Sequence, residues 1–251
     1  MTLLVDASGG VLRYARLLDG VPTDVQLLPY RGVEPEEWSA VLGALAPTPR
    51  RVLVANGAGR PFALGFAEWA RLQWQLVAEF PVVRSDAGGV RNGHLAPGSL
   101  PVDRWLALIA ARARCAGPLV VVVAGPTFSI DLLDAGGDHR GGYGMPGERL
   151  MREALHAQTS GIAAAALLDV AAVDGVFGVN TAGAVQQGAR LALAALTDRL
   201  ATALEEQVGV PRILVTGGGA DDIAPLVRRA VQLAPDLVLE GLAKVAGEMA
   251  I

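Results

Sequence analysis

Leu3-Leu4-Val5-Asp6-Ala7-Ser8-Gly9-Gly10-Val11-Leu12-Arg13-Tyr14-Ala15-Arg16-Leu17-Leu18 opens the chain, and Leu119-Val120-Val121-Val122-Val123-Ala124-Gly125-Pro126-Thr127-Phe128-Ser129-Ile130-Asp131-Leu132-Leu133 repeats its plan further on. In each stretch an apolar run of strand length meets a turn of small residues and then a second run that returns. The first run ends in a carboxylate, Asp6, just before Ala7-Ser8-Gly9-Gly10. Small residues there leave backbone N–H groups open to an anion, and the carboxylate suits a hard cation. Taken alone, the same residues also make an ordinary hairpin turn, because Asp and Gly are good turn formers.

Outward from each hairpin, helices and strands alternate. In the first half, Asp24 to Pro29 reads as a third strand and Pro35 to Leu45 as a helix with acidic residues in its first turn. Arg51 to Ala55 reads as a strand, Pro61 to Ala78 as a helix and Pro81 to Val83 as a short strand. A Gly/Pro-rich loop spans Asp86 to Pro101, and Trp105, Leu106, Ile109 and Ala110 give helical spacing between Asp103 and Ala113. In the second half, a turn-rich connection from Asp134 to Gly142 leads to helices over Glu148 to Gln158 and Gly183 to Gln207. A strand over Arg212 to Val215, a helix over Asp221 to Gln232, a strand over Leu237 to Leu239 and a helix over Gly241 to Met249 follow. The repeat predicts an α/β protein with an N-terminal lobe at 1–117 and a C-terminal lobe at 118–251. Two halves with a hairpin and a phosphate loop apiece suit a duplicated kinase fold better than a Rossmann sheet.

Composition narrows the partners. The 251 residues carry a net charge of −4, which argues against nucleic acid, whose phosphates call for a basic face. The chain is 52% hydrophobic, yet no apolar run spans a bilayer without a charge, Gly or Pro, so no membrane partner is expected. Strand-like residues begin at Leu3 with no basic leader before them, and the expected location is cytoplasmic. The single cysteine, Cys115, excludes an intramolecular disulfide and a cysteine zinc cage. His94, His139 and His156 lack zinc-ligand spacing.

Three further segments suggest chemistry. Val215-Thr216-Gly217-Gly218-Gly219-Ala220 lets the backbone lie against a base or a phosphate at a helix start, or simply turns a strand into a helix. Asn92-Gly93-His94 leads to Pro101-Val102-Asp103-Arg104-Trp105, where Asp103 can take a proton and Arg104 can pair with an anion; an acidic first helical turn with a surface Arg is the plain alternative. His139-Arg140-Gly141-Gly142-Tyr143-Gly144-Met145-Pro146-Gly147 implies unusual backbone angles or a close approach, or else a loose loop.

The order of these segments along the chain resembles that of type III pantothenate kinase, the family that includes the Bvg accessory factor proteins. The likeness is strongest from Val90 to Leu155, at Asn180 to Gly188, at Thr216 to Ala220 and at Leu237 to Ala246, while Asp24 to Phe80 carries no matching motif. The resemblance implies an actin-like ATPase / acetate and sugar kinase (ribonuclease H-like) fold, with two lobes around a nucleotide cleft. It implies ATP-dependent phosphorylation of pantothenate to 4′-phosphopantothenate, towards coenzyme A. Asp103 would accept the hydroxyl proton, with His94, Pro101 and Arg104 at the substrate. Thr181 would reach it from the partner subunit of a homodimer, whose interface lies in the C-terminal lobe. Asp6, Ser8, Gly9, Gly10, Gly125, Thr127 and Ser129 would meet the phosphates of ATP, and Gly217, Gly218 and Gly219 the adenosine. Mg2+ would lie near Asp6, and a monovalent cation, K+ or NH4+, is implied as well.

The chain departs from the family pattern in both phosphate loops. The usual Asp-x-Gly-Asn-Thr/Ser is Asp6-Ala7-Ser8-Gly9-Gly10, and the second loop has Val123 for its leading acid and Pro126 for a threonine. Pro126 removes a backbone donor. A family tyrosine is His94, and a glycine before the catalytic Asp is Pro101. These changes keep two alternatives in play: a catalytically degenerate paralogue that binds or regulates, and a related kinase of another small hydroxy acid. Threonine restored at both Gly10 and Pro126 is expected to raise ATP affinity.

Overall fold

The computed structural model describes residues 1–30, 35–169 and 177–247. The chain divides into two units. The first holds Met1–Ala116, Gly137–His139 and the segment from Asp236 onward; the second holds Gly117–Gly136 and Arg140–Pro235. The C-terminal segment therefore groups with the N-terminal residues, where the sequence reading had assigned it to the second lobe.

In the first unit, β1 (Thr2–Ser8), β2 (Val11–Leu18) and β3 (Val21–Pro29) form a meander. Helix α1 (Pro35–Gly43) then leads to β4 (Arg51–Asn56), which pairs parallel to β1 and gives the order β3-β2-β1-β4. Leu3, Leu4, Val5 and Ala7 are all buried, as expected for a central strand covered on both faces. Ser8 pairs with Val11, so Gly9 and Gly10 alone make the turn, at φ of 73° and 87°. A two-residue hairpin turn with both angles positive is one that glycine adopts without strain.

Helix α2 (Arg60–Trp74) ends earlier than its apolar pattern suggests, with Gln75 left-handed at φ 58°. Trp38 stacks on Phe66 at 6.0 Å and Trp69 meets Trp74 edge-on at 4.5 Å. Residues 24–80 thus supply the aromatic part of this core. The strand expected at 81–83 does not form. Glu79 takes the edge instead: Val54 N donates to its carbonyl at 2.8 Å, and its own N donates to Val52 O at 2.9 Å. A small hairpin, β5 (Asp86–Ala87) and β6 (Val90–Arg91), precedes α3 (Val102–Arg114), which is buried from Trp105 to Ala111.

The second unit contains β7 (Leu119–Ala124), β8 (Thr127–Leu133), all of β9 (His139–Pro146) after His139, α4 (Glu148–Gln158), α5 (Ala163–Ala166), α6 (Thr181–Val208), β10 (Arg212–Thr216), α7 (Ala220–Ile223) and β11 (Val231–Leu233). Strand β7 runs antiparallel to β8 and parallel to β10. The order β9-β8-β7-β10 reproduces β3-β2-β1-β4, with β11 added at the edge. The duplication expected from the two hairpins is therefore present at the level of strand order.

Three expected elements come out differently. Strand β9 begins inside the stretch read as a turn-rich connection. The helix expected over Asp221 to Gln232 stops at Ile223, because Pro225 has no N–H and disfavours helix in the residue before it. Val231–Leu233 then pairs parallel to β10. Leu237 to Leu239, read as a strand, is the first turn of α8 (Leu237–Ala246), which buries most of its length in the first unit. Gly241 makes that packing possible: a Cβ there would stand 2.0 Å from Leu106 O on α3. Among the described residues no helix is long and apolar enough to cross a membrane, although α6 runs for 28 residues.

Candidate active site

Asp6 sits near the end of the central strand of the first unit, 4% exposed. Burial disfavours its charged form and pushes its pKa from 3.8 up to about 7. The Ser8 hydroxyl donates to Asp6 Oδ1 and pulls the other way, as does Arg13, its cross-strand partner on β2. Arg13 Nη2 is itself bonded to Asp236 Oδ1 at 2.7 Å. The like charge of Asp103 pushes the Asp6 pKa up further, which places the two acids in each other's field. Two carboxylates in mutual repulsion, offering hard oxygen donors, fit a divalent cation such as Mg2+. Among the described residues no group of three or more His, Cys, Asp or Glu gathers into a metal cage.

Asp103 lies in the first turn of α3, with Pro101 at the N-cap position. The preceding loop is held by its own side chains. Asn92 Nδ2 donates to Arg84 O and to Pro97 O, both at 3.2 Å, and Asn92 Oδ1 accepts from His94 N at 3.0 Å. His94 Nδ1 meets Ser99 Oγ at 2.9 Å, and its ring stacks on that of His139 at 5.6 Å. Asp103, Arg104 and His94 are each partly buried. His94 and Asp103 therefore belong to one unit, on a loop and the helix it enters.

In the second unit the β7–β8 turn is closed by its neighbours' backbone. Gly147 N donates to Pro126 O at 2.7 Å, and Gly219 N donates to Ala124 O at 2.9 Å. A Cβ on Gly147 would stand 2.1 Å from Gly125 O, and one on Gly217, at φ 96°, would stand 2.5 Å from Ala124 O. The glycines of both later loops thus serve close approach to this turn. Gly125, Pro126, Thr127 and the Gly217-Gly218-Gly219 loop are brought together around Ala124. Ser129 lies further along β8 and is 3% exposed, packed in the sheet. Val123 offers only an aliphatic side chain.

Thr181 opens α6 and is exposed; Asn180 before it caps the helix, its Oδ1 accepting from Gly183 N at 2.8 Å. A buried charge network escaped the sequence reading. Arg152, 7% exposed, donates to Ala166 O, Leu168 O and Asp169 Oδ1 at 2.8 Å and to Glu148 Oε1 at 2.9 Å. Arg190 joins it through Glu148 Oε2 at 3.0 Å and continues to Asp222 at 2.8 Å. Only the four-residue step from Glu148 to Arg152 was visible in the sequence.

A family model described as type III pantothenate kinase matches residues 36–203. The type III pantothenate kinase of Nitrosococcus oceani is 34% identical over 258 residues, covering 98% of this chain and 94% of its own length. The chain belongs to the type III pantothenate kinase family. The relative of the same name in Halorhodospira halophila is 35% identical, with 96% of each chain covered. Among solved structures, a conserved Baf family protein from Campylobacter jejuni superposes with a TM-score of 0.60 at 18% identity, over 98% of both chains. A Sinorhizobium meliloti protein assigned as a 2-dehydro-3-deoxygalactonokinase gives 0.59 at 14% identity, over the whole of both chains. At these identities the likeness speaks for the fold alone, the actin-like sugar-kinase ATPase fold. As a member of a pantothenate kinase family the protein is a phosphotransferase that uses ATP.

Proposed function

We propose that this protein transfers the γ-phosphoryl group of ATP to the primary hydroxyl of pantothenate, giving ADP and 4′-phosphopantothenate. The observation that carries the reading is the family match, 34% identity over 98% of this chain to a type III pantothenate kinase, together with Asp103 in the first turn of α3. The acid matched to the family's proton acceptor lies in the electrostatic field of the acid matched to its phosphate loop. Asp103 would take the proton as the hydroxyl oxygen attacks phosphorus and the bond to ADP breaks. Arg104, next to it, would hold the substrate carboxylate, with His94 and Pro101 shaping the same pocket. Asp6 would hold Mg2+, which neutralises charge on the phosphates when bound. Ser8, Gly9, Gly10, Gly125, Thr127 and Ser129 are carried with it for the phosphates, and Gly217 to Gly219 for adenosine. A homodimer with Thr181 reaching the partner's substrate, a monovalent cation and a cytoplasmic location complete the proposal.

A second reading, a paralogue that binds its ligands but turns over slowly, is favoured by Pro126, which has no N–H to offer a phosphate. A lost donor of that kind costs roughly a hundredfold or more in rate. ADP release with ATP, Mg2+, K+ and pantothenate separates the two. Release that depends on pantothenate and vanishes in Asp103→Asn supports the kinase. Release no faster than from Asp103→Asn, in a protein that still binds pantothenate, supports the second reading.

A further inference from the structure

We propose that His139 is a positioning residue for the hydroxy-acid substrate, acting through the ring of His94; this rests on the pantothenate reading above. His139 is 4% exposed at the start of β9, and its ring lies 5.6 Å from that of His94 at an interplanar angle of 17°. The His94 ring is thus held on one face by a stacked neighbour and at one edge by Ser99 Oγ, 2.9 Å from Nδ1. Ser99 is itself anchored, donating to Ala96 O at 2.8 Å. A ring fixed at a face and an edge presents its remaining edge in one direction.

The backbone enforces the stack. A Cβ on Gly93 would stand 1.9 Å from His139 O, so no side chain fits at 93 while the two segments touch. Arg91 N donates to Gly137 O at 2.9 Å, and the Arg91 guanidinium makes a two-pronged pair with Asp138, one contact at 2.7 Å. Residues 137–139 are therefore bound to residues 91–94 by backbone contact, charge and ring stacking together. Nothing in the phosphoryl-transfer chemistry requires this arrangement. It governs where His94 points, and hence how well the hydroxy acid is seated.

The test is steady-state kinetics on wild type, His139→Leu, His139→Phe and Gly93→Ala, with thermal melting of each. His139→Leu fills the space without a flat ring and should raise the KM for pantothenate roughly three- to tenfold, the scale of one aromatic-pair contact. The KM for ATP and kcat should stay close to wild type. His139→Phe should restore the pantothenate KM, and Gly93→Ala should raise it in the same direction as His139→Leu. An unchanged pantothenate KM in folded His139→Leu overturns the inference. So does a rise shared equally by ATP, or a phenylalanine variant no better than leucine, since either marks a general structural defect. Wild-type protein that neither binds nor phosphorylates pantothenate removes the functional reading and this inference with it, and wild-type turnover tells that failure from the others.

Discussion

Asp6 and Arg152 are buried charges, one in each unit, treated in opposite ways. Arg152 has its donors answered by two carboxylates and two carbonyls. Burial pulls its pKa down, but the bonds to Asp169 and Glu148 outweigh this and raise it. Asp6 has the Ser8 hydroxyl and the more distant Arg13 to help it, and a second acid, Asp103, to hinder it. An enclosed charge with its partners built in holds architecture together, whereas one left short of positive charge at the end of a strand is prepared for a ligand that brings it.

Four substitutions press on this contrast. The largest expected effect is on Asp103: replacement by Asn should lower pantothenate-dependent ADP release by on the order of a hundredfold or more, the usual contribution of a general base. Unchanged turnover would remove Asp103 from the chemistry and leave Asp6 without its functional neighbour. Next, Arg152→Met leaves the carbonyls of Ala166 and Leu168 and one oxygen of Glu148 without their donor, although Arg190 still holds the other, and should cost about 3 kcal/mol of stability, read from urea unfolding. An unshifted midpoint would mean that the network is not architectural.

Third, Asp6→Asn should stabilise the protein at neutral pH when no divalent cation is present. With a pKa near 7 folded and 3.8 unfolded, the folded state keeps a proton across this interval that the unfolded state has lost. Stability therefore falls as pH rises from about 4 to 7, and the penalty is complete above that. The Asn variant escapes it, by on the order of 4 kcal/mol at pH 8, with the difference closing towards pH 4. Melting curves across that range that run parallel would break the contrast. The smallest effect is expected from Pro126→Thr, which returns one backbone donor and should tighten ATP binding about threefold by calorimetry, the worth of one hydrogen bond. The companion change at Gly10 is a different matter. Its φ of 87° suits glycine, and a β-branched residue there strains the turn. The double replacement suggested by the family pattern is thus expected to do worse than Pro126→Thr alone.

The sequence made the hairpins, the strands at Arg51 to Ala55 and Arg212 to Val215 and most helices legible, because β-branched runs, glycine turns and helical apolar spacing are local signals. It misplaced what depends on distant contacts. Leu237 to Leu239 looks like a strand by composition and is a helix because α8 packs on α3 through Gly241. Glu79, a charged residue, takes the strand edge that composition assigns to Val82 and Val83. In the candidate site, Asp6, Asp103 and the glycine loops stood out by residue type and order. Arg190 on Glu148, and His139 beneath His94, did not, since these partners lie roughly forty residues apart and no spacing rule links them. The resemblance gives Gly217 to adenosine, yet it already faces backbone of the β7–β8 turn, and so does Gly147, whose loop the sequence reads as a close approach or a loose loop.

The grouping of α8 with the first unit bears on how the chain is made. Residues 117–136 and 140–235 are nearly continuous, so the second unit is complete once Pro235 has left the ribosome. The first unit, although begun earlier, has β1, β4 and α3 waiting for a cover that is synthesised more than a hundred residues after α3. The part translated first is therefore the last to close, and its apolar face is on show to chaperones throughout that interval.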